Sequence, residues 1–108
     1  MGEGYQGWSC HQAWELNLAI TNDEPLMNKQ LFGAWKLNFE RKMKRGVYNH
    51  ELAVKGIRDN FIPQAITRLH KLGYLEYPRY PIQIKQEVAK ALVRSVEEDI
   101  EYSKSHPK

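Results

Sequence analysis

The sequence predicts a mainly α-helical fold, a compact bundle of about four to five helices with a short extended segment near residues 74–81. Glycine and proline divide the chain into helix-length segments, and the last of these has apolar residues at every fourth position. A length of 108 residues with 42% hydrophobic content suits one domain with its own core. The repeating apolar positions are Ile84, Val88, Leu92, Val96 and Ile100.

The first helix is expected to begin at Ser9, after a glycine-rich flexible arm at residues 1–8. Ser9 and Gln12 have the spacing of a capping box, in which each side chain satisfies a free backbone N–H of the other residue. Residues 13–20 are nearly apolar all round, which favours a buried helix. Alternating leucine and isoleucine in the same run leaves a strand as the alternative.

A long second helix is expected over residues 24–44. An Asn22 or Asp23 side chain can cap its start, and Pro25 is tolerated in a first turn, where no backbone donor is needed. Gly46 is expected to end the helix because glycine readily adopts left-handed geometry.

Asn49 is a candidate cap for a third helix, and Pro63 either ends that helix or restarts it. The expected inner face comprises Leu52, Ala53, Ile57 and Phe61. A short fourth helix from Gln64, closed by Gly73, follows. Its expected inward residues are Ile66, Leu69 and Leu72.

Residues 74–81 read YLEYPRYP, and each proline disfavours helical geometry in the preceding residue. This segment is either a short strand or an aromatic clasp over the core. The last helix is expected over residues 82–102, and residues 103–108 are expected to fray. One helical domain therefore spans residues 9–102.

Positive charge is concentrated in the second helix. Residues 29–45 carry six basic and one acidic side chain, whereas the whole chain has a net charge of +3. This patch can contact phosphates or an acidic protein surface, although cations near a helix C-terminus also simply complement its dipole. The candidate partner-binding residues are Lys36, Arg41, Lys42, Lys44 and Arg45.

A second candidate surface lies on the short helix from Gln64, because a helix followed by an extended segment resembles the recognition helix and wing of a winged-helix DNA reader. The alternative is an ordinary helix followed by a strand within the core, which has the same sequence pattern. The candidate nucleic-acid-binding residues are Thr67, Arg68, His70 and Lys71.

No pattern indicates an enzyme, a cofactor or a metal site. Cys10 and His11 are adjacent, and neighbouring residues on a helix do not face one another. The single cysteine indicates a reducing compartment, and the absence of a signal peptide or a long apolar run indicates a cytoplasmic protein with no membrane partner. The three tryptophans are expected to build the core, which leaves charge as the means of recognition.

The opening of the chain has a distinctive pattern of GY, then a tryptophan, then an apolar run closing on NDE, which covers about a quarter of the chain. The residues that carry it are Gly4, Tyr5, Trp14, Leu18, Ile20, Asn22, Asp23 and Glu24. This pattern resembles the opening of a family of small bacteriophage and plasmid proteins. The resemblance implies an origin in a mobile element and brings no known active site.

Small proteins of such elements often bind and block a host machine, including CRISPR or restriction systems. The first hypothesis is therefore a non-enzymatic interaction protein that binds a host protein or a protein–nucleic acid complex through its basic face. The alternative is a small helical protein that binds DNA or RNA directly. A homodimer stays open.

Overall fold

The computed structural model describes residues 7–105, which form four helices and no strand. We label them α1 (His11–Thr21), α2 (residues 25–44), α3 (residues 50–71) and α4 (Ile82–Ser105). Helix α2 joins a π-helical segment, Pro25–Trp35, to an α-helical one, Lys36–Lys44. Helix α3 is α-helical over His50–Gly56, π-helical over Ile57–Phe61 and α-helical again over Ile62–Lys71. The prediction of a mainly α-helical bundle is confirmed.

Helix α4 lies at the centre of the bundle and contacts each of the other three helices. All five residues of its predicted four-residue period are buried. Burial of one continuous stripe removes a large apolar area from water, and each Å² of buried apolar surface stabilises the fold by about 25 cal/mol. The period therefore identified the helix around which α1, α2 and α3 pack.

Two of the predicted helix starts are confirmed by side-chain caps. Asp23 accepts a hydrogen bond from the backbone N–H of Leu26 at 3.0 Å, and Asn49 accepts one from Leu52 at the same distance. Each bond satisfies one of the free donors in a first helical turn.

The predicted capping box at Ser9 is wrong. The backbone N–H of Ser9 donates to the Glu87 carboxylate of α4 at 2.9 Å, and its hydroxyl donates to the same group. Helix α1 begins two residues later, at His11, and Cys10 precedes it without a side-chain cap. A tertiary contact thus replaces the local one and fastens the start of α1 to α4.

Both predicted glycine stops are confirmed. Gly46 and Gly73 have φ values of +73° and +87°, in the region that residues with a Cβ avoid. After Gly46, the N–H of Val47 bonds to the carbonyl of Lys42 at 2.9 Å, and the N–H of Tyr74 makes the equivalent bond to Leu69. These bonds satisfy carbonyl groups of the last turn.

Pro63 does not end a helix, so the predicted third and fourth helices are one continuous helix, α3. The π-helical turn before Pro63 widens the helix at the point where the proline ring and its missing donor would disturb regular α-helical bonding.

The inward placement of Leu52 and Leu72 is also wrong, because they are 63% and 52% exposed. Leu52 lies off the stripe that Ala53 shares with later residues, and Leu72 follows the last helical residue.

Residues 74–81 form a clasp and contain no strand. Leu75 and Tyr80 are buried, and the rings of Tyr77 and Tyr80 meet edge to face with centroids 6.2 Å apart.

Helix α4 continues to Ser105, three residues past its predicted end at Tyr102. Residues 1–6, which include Gly4 and Tyr5 of the predicted arm, and residues 106–108 of the predicted tail lie outside the described residues. Within residues 7–105, no helix is long and apolar enough to cross a bilayer.

Candidate functional site

Four of the five predicted partner-binding residues form an exposed surface at the C-terminal end of α2, which we call the basic face. Each of the four side chains is exposed, and none makes an ion pair with any residue from 7 to 105. Their charges are thus available to another molecule. The basic face consists of Arg41, Lys42, Lys44 and Arg45.

The fifth predicted residue, Lys36, differs from the other four. Its Nζ lies 2.5 Å from a carboxylate oxygen of Asp99 on α4, and only 21% of the side chain is exposed. The ion pair connects α2 to α4 and neutralises the charge of Lys36 within the fold. We therefore leave Lys36 out of the basic face.

Exposed apolar side chains border the basic face on two sides. Leu37 is 47% exposed and precedes Arg41 by one helical turn, so the two share a surface. Val47 is 56% exposed and follows the end of α2. It also lines a small cavity of about 140 Å³ together with Lys42. The surface therefore combines positive charge with apolar area.

Two of the four acidic residues near the end of α4, Glu97 and Asp99, contact other parts of the fold. Glu97 accepts hydrogen bonds from the Tyr48 hydroxyl and lies 2.7 Å from Nδ1 of His50, which connects α4 to the start of α3. Burial, together with the bond to Glu97, raises the pKa of Tyr48 well above its usual value of 10. Asp99 pairs with Lys36, as described above. These contacts favour a structural role for Glu97 and Asp99.

The predicted nucleic-acid-binding residues lie near the C-terminal end of α3, and two of the four are engaged. The Thr67 hydroxyl donates to the carbonyl of Pro63 at 3.0 Å, and Nε of Arg68 lies 3.2 Å from the Asp23 carboxylate. His70 and Lys71 are exposed. No wing follows, because residues 74–81 form no strand.

A surface cleft of about 660 Å³ lies between α1, the start of α2 and the end of α3. The sequence interpretation missed it because Trp14 was assigned to the core. Trp14 is half-buried and lines the cleft, whereas Trp8 and Trp35 pack against the core. The full lining comprises Trp14, Glu15, Leu18, Ala19, Asn22, Asp23, Glu24, Pro25, Arg68, Leu69, Leu72 and Tyr74.

A signal for the cleft was present in the sequence. Trp14, Leu18 and Asn22 are spaced four residues apart, so they form a stripe on α1 separate from the buried one. The buried stripe contains Ala13, Leu16 and Ile20. The expectation that the apolar residues are all used in packing is therefore wrong for this side of α1.

The Cys10–His11 pair lies at the start of α1. Cys10 is half-buried, and the His11 ring instead lies beside Trp14 with centroids 5.5 Å apart. Nε2 of His11 is 3.9 Å from the Glu15 carboxylate. Across the described part of the chain, no group of three or more His, Cys, Asp or Glu residues could hold a metal ion.

Comparisons with protein-family models, with curated proteins and with solved structures found no match to this chain. The resemblance to the bacteriophage and plasmid family therefore stays a prediction from the residues that carry it. Most of those residues share a location in the fold, since the following five line the cleft: Trp14, Leu18, Asn22, Asp23 and Glu24.

Proposed function

We propose that this chain is a non-enzymatic interaction protein whose basic face binds an acidic surface on another protein. The observation that carries the proposal is the set of four neighbouring cations with no ion-pair partner among the described residues. Because the chain resembles mobile-element proteins, the partner we propose is a host protein or complex, such as a CRISPR or restriction system, that the chain blocks.

The apolar border of the basic face favours a protein partner over a nucleic acid. Leu37 provides apolar area beside Arg41, and Val47 provides it beside Lys42. Protein interfaces combine an apolar centre with enriched arginine. Binding to a phosphate backbone needs only the cations and gains little from leucine and valine. Direct DNA or RNA binding by the same cations remains the second candidate function.

The test compares three baits in affinity capture from a bacterial lysate treated with nuclease. The first bait is the natural chain, and the second carries Arg41→Gln, Lys42→Gln and Lys44→Gln. The third is a matched control with Lys55→Gln, Lys90→Gln and Lys104→Gln, three exposed lysines outside the basic face. Both variants lose three positive charges, so a difference between them reports position rather than net charge.

The proposal predicts a partner that the natural chain and the control capture equally and that the basic-face variant loses. Circular dichroism must show that both variants are folded, since removing a cation from a last helical turn lowers stability by about 0.3–1 kcal/mol. Equal capture by the basic-face variant would contradict the proposal. Capture that occurs only when the nuclease is omitted, together with a salt-sensitive shift of duplex DNA, would instead support the nucleic-acid alternative.

A further inference from the structure

We infer that the cleft between α1, α2 and α3 is a binding site for a small organic cation with an apolar body. Its volume of about 660 Å³ falls within the range of roughly 300–1,000 Å³ typical of small-molecule sites. The cleft is formed at the start of α2, roughly 25 Å from the basic face at the other end of that helix. It is therefore a second recognition surface, independent of the proposed function.

The charges of the cleft select against an anion. Asp23 is buried and pairs with Arg68, so these two groups largely neutralise each other. Glu15 and Glu24 then leave the lining with a net charge of −2 in a chain whose overall charge is +3. His11 lies beside this wall, with its Nε2 3.9 Å from the Glu15 carboxylate. Coulomb attraction therefore favours a positively charged ligand.

The aromatic and apolar walls define the rest of the ligand. The exposed ring of Tyr74 lines the cleft, and aromatic rings attract ammonium and guanidinium groups through the ring quadrupole. Trp14 adds aromatic area to the lining, with its ring beside that of His11. Leu18 and Leu72 are 41% and 52% exposed, and both line the cleft. An alkyl or aryl body would cover these leucines while the cationic group meets the glutamates. The complementary class is thus an alkylammonium or arylalkylammonium ion.

The test titrates the full chain with three probes of one shape by isothermal calorimetry at low salt. The probes are 4-phenylbutylammonium, the neutral 4-phenylbutanol and the anionic 4-phenylbutyrate. The cation should bind at least several-fold more tightly than the alcohol, and the carboxylate should bind most weakly. Binding should also shift the NMR signal of the Trp14 indole N–H, which locates the probe in the cleft.

Variants then assign the contacts. Glu24→Gln should weaken binding of the cation about twofold to fivefold, the effect of losing one partly solvated charge pair, and leave the alcohol unaffected. Leu72→Ser should weaken both probes. Glu101→Gln, an exposed glutamate on α4 outside the cleft, is the matched control and should change neither.

Several results would overturn the inference. Equal affinity for the ammonium and the alcohol would show an apolar groove without charge recognition. An unchanged affinity in both Glu24→Gln and Glu15→Gln would place the cation elsewhere. Binding of a lysine-containing peptide without binding of the free ammonium probe would exclude a small-molecule occupant. The basic-face variant should bind the ammonium probe like the natural chain, because the basic face and the cleft are separate surfaces. If no probe binds the cleft, the proposed function of the basic face is therefore unaffected.

Discussion

Replacement of Asp23 by alanine tests how the start of α2 and the floor of the cleft are held. The Asp23 side chain is 6% exposed and makes two contacts, a cap on the Leu26 N–H at 3.0 Å and a pair with Arg68 at 3.2 Å. Loss of a capping side chain destabilises a protein by about 1 kcal/mol. The Arg68 pair adds at most about 1 kcal/mol, because the Arg68 side chain is 40% exposed and is screened by water.

Asp23→Ala should therefore lower the free energy of unfolding by about 1.5 kcal/mol, which corresponds to a decrease in Tm of roughly 6–10 °C for a domain of this size. Asp23→Asn keeps an oxygen that can accept the Leu26 N–H and loses only the charge, so its loss should stay under about 1 kcal/mol. Urea unfolding followed by far-ultraviolet circular dichroism measures both values. The double variant with Arg68→Gln measures the coupling between the two side chains.

The alanine variant should be clearly less stable than the asparagine variant. If the two lose equal stability, the charge pair rather than the helix cap holds Asp23 in place. A coupling energy well above 1 kcal/mol would likewise refute the statement that solvent weakens the pair.

Three further predictions concern stability, each measured by urea unfolding. Gly46→Ala should destabilise by about 1 kcal/mol because of its positive φ, and Gly46→Asn by less; equal losses would point away from backbone strain. Leu92→Ala should cost about 3 kcal/mol and Leu52→Ala less than about 0.5 kcal/mol, and the reverse order would contradict the assigned core. Tyr80→Phe should stabilise by up to about 1 kcal/mol, because the buried hydroxyl has no hydrogen-bond partner among residues 7–105. Burial raises the pKa of Tyr80 to about 12, above the unfolded value near 10. The free energy of unfolding should therefore decrease as pH rises from 10 to 12, and it should decrease less in Tyr80→Phe, which has no hydroxyl to ionise at this position.

Local sequence signals predicted the parts of the fold that depend on neighbouring residues. The four-residue period of α4 required only helical geometry, and Gly46 and Gly73 ended helices because glycine alone tolerates positive φ without strain. Asp23 and Asn49 capped helices for an equally local reason. These features are encoded within a few residues of each other.

Features that depend on distant residues were not predictable in this way. Ser9 has a capping-box spacing, yet Glu87 lies 78 positions away in sequence and takes both of its donors. In sequence, Lys36 is indistinguishable from the other cations of α2, and only the fold places it beside Asp99. The cleft has the same origin, since its walls come from three helices and its lining includes Arg68 and Trp14.

Recognition by the basic face is tested by the Kd of the captured partner for two purified variants. Neutralising Arg41, Lys42 and Lys44 should raise Kd at least tenfold, about 1.4 kcal/mol of binding free energy. The matched control at Lys55, Lys90 and Lys104 should bind like the natural chain. Equal Kd values for the two variants would show that the basic face does not carry recognition.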